Sequence, residues 1–217
     1  ILRILENIRA DNRVRLALVS GRDAKTLEAW FGHLDITLVA EHGAWMKLGK
    51  DAKWIKDTSL LDDAWKQQIL GMLDEYTIRT PDSSVEEKTA AVVWHYRAAN
   101  ADLGKWQARE LTTHLEYSLA NQPVEVIEGS AIVEIRQQGV TKGAAFRAVE
   151  QAIGPFDFQL AIGDDTTDED LFAALQDSSI SIHVGDAPSR ATERLSGPPA
   201  VRAFLRSLFP PAELCVT

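Results

Sequence analysis

Between Gly163 and Asp170 the chain reads Gly-Asp-Asp-Thr-Thr-Asp-Glu-Asp, and five of those residues are carboxylates. Like charges at this density repel one another unless protons or a cation compensate them, and hard oxygen donors of this kind are what Mg2+ binds. A strand pattern over Phe158 to Ile162 precedes the stretch, and a helical pattern with Leu171, Phe172 and Leu175 follows it. In a parallel sheet, ligands bind at the carboxyl ends of strands, which is where these carboxylates fall. A solvated acidic helix N-terminus is the structural alternative, although capping alone leaves a Gly-Asp-Asp turn directly after a strand unexplained. Ser20-Gly21-Arg22 stands at another strand end. A hydroxyl, a flexible glycine and backbone N–H groups opening a helix suit a phosphate, and an N-cap with an exposed arginine is the competing reading. Lys142-Gly143 opens a third helix, where an isolated lysine would as a rule face solvent.

The elements that must position these residues follow from the apolar spacing. The first third reads helix (Ile1, Leu2, Ile4, Leu5, Ile8), strand (Val14 to Val19), helix (Leu27, Trp30, Phe31) and strand (Ile36 to Ala40), with a hairpin at Gly49-Lys50 before Trp54. From about residue 59 the pattern becomes α-β-α-β-β: a helix capped at Asp62-Asp63, a strand over Ala90 to Tyr96, a helix from Leu103, and strands Val124 to Ile127 and Ala131 to Ile135. Past Gly139 the α/β alternation resumes with a helix over Gly143 to Ile153 and strands ending at Ile162 and Val184, and Pro210-Pro211 closes the last helix. The expected organisation is an open parallel-sheet α/β core from residues 1–58 and 139–217, interrupted by an α+β domain at 59–138. The first helix has no capping residue before it, as though something upstream had been lost.

Composition bounds the function. Among 217 residues, 23 Lys and Arg stand against 32 Asp and Glu for a formal charge of -9, which argues against nonspecific nucleic-acid or anionic-membrane binding. Cys215 is the sole cysteine, so no internal disulfide can form and a reducing, cytoplasmic setting is expected. No apolar run approaches the roughly 20 residues that span a membrane.

Hydroxyl, lysine and acidic cluster, in that order at strand ends with an insertion between the first two, resemble motifs two, three and four of the haloacid dehalogenase-like phosphatases. Ser20-Gly21-Arg22-Asp23, Ala40-Glu41-His42-Gly43-Ala44, Glu86-Glu87-Lys88, Trp94-His95-Tyr96-Arg97, Lys142-Gly143 and the run from Gly163 to Phe172 resemble the trehalose-6-phosphate phosphatases, in particular the C-terminal phosphatase domains of bifunctional synthase/phosphatase proteins. The resemblance covers nearly the whole chain. It implies a Rossmann-like haloacid dehalogenase core with an inserted cap, and Mg2+-dependent hydrolysis of trehalose 6-phosphate to trehalose and phosphate through an aspartyl-phosphate. It further implies that Ser20 hydrogen-bonds the transferring phosphoryl group, that Lys142 neutralises its charge and that Asp164 holds Mg2+ with Asp168 in or near its shell. Asp165 is expected to support the turn. Arg22 would add positive charge for the substrate, and Glu86, Lys88, Arg97 and Glu134 would contact the trehalose portion. A trehalose-6-phosphate synthase in the same chain or complex is the implied partner. Read without the family, Glu86-Glu87-Lys88 is an exposed charged turn, Glu134-Ile135-Arg136 a solvated strand face, and His42 and His95 are structural hydrogen-bonding residues.

The family's first motif, Asp-x-Asp-Gly-Thr, does not occur in residues 1–217. The nucleophile and general acid are therefore expected upstream of Ile1 together with the first core strand, and residues 1–217 alone are expected to show no turnover. Ser130-Ala131 stands where many relatives carry a lysine after the glycine, which removes one sugar contact. The alternatives are a pseudo-phosphatase module that binds or regulates a synthase, and a phosphatase for another sugar phosphate.

Overall fold

The computed structural model describes residues 1–60 and 63–210. Asp62 of the expected helix cap, Pro211 and Cys215 lie outside the described residues. In chain order the elements are α1 (Leu2–Ala10), β1 (Ala17–Val19), α2 (Ala24–Phe31), β2 (Thr37–Ala40), a single 3-10 turn at Glu41–Gly43, β3 (Trp45–Leu48) and β4 (Ile55–Lys56). Then come α3 (Ala64–Arg79), β5 (Ser84–Glu87), β6 (Ala91–His95), α4 (Ala101–Ser118), β7 (Val124–Gly129) and β8 (Ile132–Gln137). The last stretch holds α5 (Lys142–Ile153), β9 (Leu160–Gly163), α6 (Asp168–Ala174), β10 (Ile180–Val184), β11 (Glu193–Leu195) and α7 (Pro198–Leu208). Two compact units result, one from Ile1–Lys56 with the residues from Thr141 on, the other from Asp57–Val140.

In the first unit β1 and β2 run parallel, with Val19 opposite Val39, and β3 and β4 extend that sheet antiparallel. All four positions of β2 are buried, as a strand covered on both faces requires. The strands β9, β10 and β11 form a separate parallel sheet. The expected single parallel sheet is thus two sheets, one of them mixed. Among the described residues β1 and β9 each pair along one edge only. One helix serves both sheets: Ala145 and Val149 of α5 pack with Val39, Val19 and Met46, while its Phe146 packs with Ala161, Leu171 and Phe172. α1 buries Ile4, Leu5 and Ile8 and has no side-chain cap, as its sequence implies.

α5 and α6 touch at Gly143, where a Cβ would overlap the backbone carbonyl of Asp170. Backbone cannot rotate away as a side-chain tip can. Gly143→Ala should therefore cost about 1–3 kcal/mol of stability through forced separation of the two helices. A urea midpoint unchanged from wild type would show that the contact is slack.

The second unit is a four-stranded antiparallel sheet in the order β5-β6-β8-β7. Trp65, Ile69, Leu73 and Tyr76 of α3 and Leu111 and Leu115 of α4 pack with Val92, Trp94, Val133 and Ile135 of the sheet. Alternation then puts Glu86, Val93, Glu134 and Ile127, which stand in one register row, on the other face. The strand β5 is absent from the pattern expected above: its Ser-Val-Glu-Glu sequence carries one apolar side chain, so what reads as a charged turn is a paired strand. Asp63 precedes α3 without capping it, and its carboxylate pairs instead with Lys66 at 2.6 Å. Asn100 caps α4 by accepting from the N–H groups of Asp102 and Leu103, so the helix begins at Ala101, two residues ahead of the expected start.

Candidate active site

At the carboxyl end of β9 the chain turns through Asp164 to Thr167, and Asp168 opens α6. The Asp168 carboxylate folds back under that turn. Its Oδ2 accepts the backbone N–H groups of Asp164 (3.1 Å) and Asp165 (3.0 Å), and its Oδ1 accepts Lys142 Nζ at 2.7 Å. Both side chains of this ion pair are less than a tenth exposed. Gly163 makes the arrangement possible, because a Cβ there would overlap the Asp168 carboxyl.

Lys142 is the first residue of α5, behind a Thr141 cap that accepts from the Ala144 N–H at 3.1 Å. A cation at a helix N-terminus opposes the dipole, and burying it costs several kcal/mol in lost hydration. Helix stability therefore does not account for this lysine, and the solvent-facing reading is corrected: the ammonium is buried against Asp168.

The other carboxylates sort by partner. Asp165 accepts the N–H of Thr166 at 2.7 Å, which supports the turn as expected. Glu169 accepts the Ser189 hydroxyl (2.6 Å) and the Arg190 N–H (2.8 Å), fastening the loop that follows β10. Asp164 is exposed, and no described residue donates to its carboxylate. Among the described residues no three His, Cys, Asp or Glu side chains gather closely enough to cage a metal ion. The donor set fits a hard cation held by one carboxylate and completed by water and phosphate oxygens, as is common for Mg2+. Asp168 lies beside Asp164; its Oδ2 accepts two N–H groups, while its Oδ1 accepts Lys142 alone and keeps a lone pair toward the expected metal shell.

Ser20 follows β1 directly, and its Oγ accepts the Arg22 N–H at 3.2 Å. This loop is tied to the turn after β2 by His42 N–H donating to the Ser20 carbonyl and Glu41 N–H to that of Arg22, both at 3.0 Å. Glu41 (φ 50°), His42 (φ 58°) and Gly43 (φ 128°) are consecutive left-handed residues. For the two non-glycines that conformation costs on the order of 1 kcal/mol each, and such strain gathers at functional sites. The His42 ring lies where a Cβ on Gly21 would be, so Gly21 is needed for close approach as much as for flexibility. Gly43 in turn faces Ala145 and the Thr141 carbonyl at the start of α5. A continuous set of contacts therefore joins Ser20, the 41–43 turn, Lys142 and the Asp164 turn at the strand ends of one unit. Arg22 lies with its guanidinium carbon 4.9 Å from the Trp30 ring centre. The cap of α2 is Asp23, whose carboxyl is held below the usual carboxylate range by the Thr26 hydroxyl and N–H.

Sequence reasoning passed over His183, which is buried on β10 opposite Gly163, with an Nδ1 that has no partner among the described residues. A histidine between Ile182 and Val184 in a strand was the available signal.

The four residues assigned to sugar contact lie in the second unit. Glu86 and Glu134 stand in the same row, flanking Val93. Glu86 bonds His95 Nε2 at 2.8 Å, and Arg97 donates to the Ser130 carbonyl at 3.1 Å. Lys88 follows directly on β5, its N–H bonded to the Ala91 carbonyl. Glu134 is buried, not solvated, and its Oε1 has no partner among the described residues.

The sequence model of the trehalose-phosphatase family matches residues 1–198. A bifunctional trehalose-6-phosphate synthase/phosphatase of Thermoproteus tenax is 33% identical over 211 residues, covering 97% of this chain and 28% of that protein. A probable alpha,alpha-trehalose-phosphate synthase [UDP-forming] of Arabidopsis thaliana is 34% identical over 98% of this chain and 27% of its own length. This chain thus spans little more than a quarter of those relatives. The C-terminal domain of a Candida albicans trehalose-6-phosphate phosphatase superposes with a TM-score of 0.84 at 30% identity, covering 95% of this chain and 82% of that one. With the haloacid dehalogenase-like fold, the lysine at the head of α5 and the acidic turn now placed, the chain belongs to the trehalose-phosphatase family.

Proposed function

We propose that this chain is part of a phosphatase module that hydrolyses trehalose 6-phosphate to trehalose and phosphate, working beside a trehalose-6-phosphate synthase in the cytoplasm. The observation that carries the reading is the buried Lys142–Asp168 pair beneath the exposed Asp164 turn. An ammonium has three N–H donors, so Lys142 keeps two for phosphoryl oxygens while Asp168 holds it in place. The Ser20 oxygen is already an acceptor, which leaves its O–H to donate to the same group. Asp164 would hold a magnesium ion, which would offset the charge of the phosphate dianion beside these carboxylates. The attacking carboxylate is taken from the family's Asp-x-Asp pair, which is not among residues 1–217. In the second unit Glu86 and Glu134 supply acceptors and Lys88 and Arg97 donors for sugar hydroxyls. The synthase partner rests on the names of the relatives, and the cytoplasmic setting on the single cysteine.

The test is phosphate release by the native full-length protein from trehalose 6-phosphate, sucrose 6-phosphate and glucose 6-phosphate, with and without a chelator. Trehalose 6-phosphate should exceed the others by at least about tenfold in kcat/KM, near 1.4 kcal/mol of selectivity. Chelation should stop the reaction and added Mg2+ restore it. Equal rates across the panel would overturn the sugar assignment, and no release from any member would favour the pseudo-phosphatase.

A further inference from the structure

Lys66, like Lys47, is a buried ammonium that nothing in the phosphate chemistry uses. It lies on the first turn of α3, where its Nζ donates to the backbone carbonyls of Lys88 (2.8 Å) and Thr89 (2.9 Å) and pairs with Asp63 Oδ1 at 2.6 Å. Its three N–H donors therefore meet three acceptors. A buried, paired charge is seldom more stabilising than an apolar side chain of similar volume, and α3 already packs through Trp65, Ile69, Leu73 and Tyr76. What an apolar residue could not do is hold two successive carbonyls. Those carbonyls belong to the turn between β5 and β6, so the peptide planes on both sides of Thr89 are fixed, and with them the direction in which Lys88 leaves the backbone. Glu86 lies two residues earlier on β5, in the register row of Glu134.

We infer that Lys66 is a positioning residue for sugar recognition: by fixing the turn after β5 it holds Lys88 and Glu86 in register with Glu134. The inference rests on the reading of Lys88 and Glu86 as sugar contacts. Its test is steady-state kinetics of Lys66→Met in the full-length protein on trehalose 6-phosphate and on 4-nitrophenyl phosphate, whose leaving group has no sugar hydroxyls. KM for trehalose 6-phosphate should rise about tenfold with kcat within about twofold, the signature of lost uniform binding. The aryl phosphate should be turned over as by wild type. If Lys66→Met fails to fold, Lys66→Gln, which keeps a donor for one carbonyl, should raise the same KM by about threefold. A folded variant with an unchanged KM overturns the inference, as does an equal loss on both substrates, since a purely structural lysine would affect both alike. Lys88→Ala separates the two levels. If it raises KM and Lys66→Met does not, the positioning role alone fails; if Lys88→Ala is silent, the sugar-contact reading fails and the inference with it.

Discussion

Lys142→Met should sharply reduce phosphate release and lower stability together. Removing the ammonium leaves Asp168 as a buried carboxylate supported by two backbone N–H bonds and no counter-charge. Breaking a buried ion pair from one side costs about 3–5 kcal/mol. Turnover in the full-length protein should fall by about 10³-fold, because a preorganised donor to the transferring group is lost with the support of the Asp164 turn. The double variant Lys142→Met/Asp168→Asn separates the two effects. An amide keeps a carbonyl oxygen for the Asp164 and Asp165 N–H groups and carries no charge, so much of the stability should return while activity stays low. Urea unfolding and a phosphate-release assay read the two quantities separately. A single variant that keeps turnover within tenfold of wild type would remove Lys142 from the chemistry. A double variant no more stable than the single would show that charge burial is not what the pair relieves.

The strand-end positions of the site were legible in the sequence, because apolar runs followed by Gly and polar clusters mark strand termini whatever the tertiary fold. Which carboxylate turns inward was not. Asp164, Asp165, Asp168, Glu169 and Asp170 differ little in type and spacing, and only the packing of Gly163 against Asp168 selects the one that faces Lys142. The left-handed backbone at Glu41 and His42 was equally hidden, since neither residue type announces a positive φ as glycine does. The strands β5 and β11 escaped because Ser-Val-Glu-Glu and Glu-Arg-Leu carry too few apolar positions for alternation to show. Their pairing comes from neighbours remote in sequence. The row that sets Glu86 beside Val93 and Glu134 joins residues 48 positions apart and depends on the register of β6 and β8. The family resemblance named these residues, but the sequence could not place them on one sheet face.

Gly163→Ala should cost nearly as much as the loss of Lys142, although it removes no functional group. The glycine does not have a positive φ, so its backbone would accept a side chain. The difficulty is steric: the added methyl would overlap the Asp168 carboxyl and lie 2.5 Å from that residue's Cβ. The Cβ belongs to the root of α6, so rotation about χ1 cannot clear it. The helix start must shift, and the three N–H bonds that Asp168 accepts from Lys142, Asp164 and Asp165 weaken together. Each bond to a charged group contributes about 1.5–3 kcal/mol, so a stability loss of at least about 3 kcal/mol is expected. Turnover should drop by about 10²-fold or more from displacement of the Asp164 turn. Gly71→Ala is the matched control, the same chemical change in open space on α3. It should stabilise by about 0.5–1 kcal/mol through helix propensity and leave turnover unchanged. Opposite signs for the two substitutions in a urea titration would locate the cost in the Asp168 contact. A Gly163→Ala protein that melts and turns over like wild type would show that Asp168 does not hold the turn.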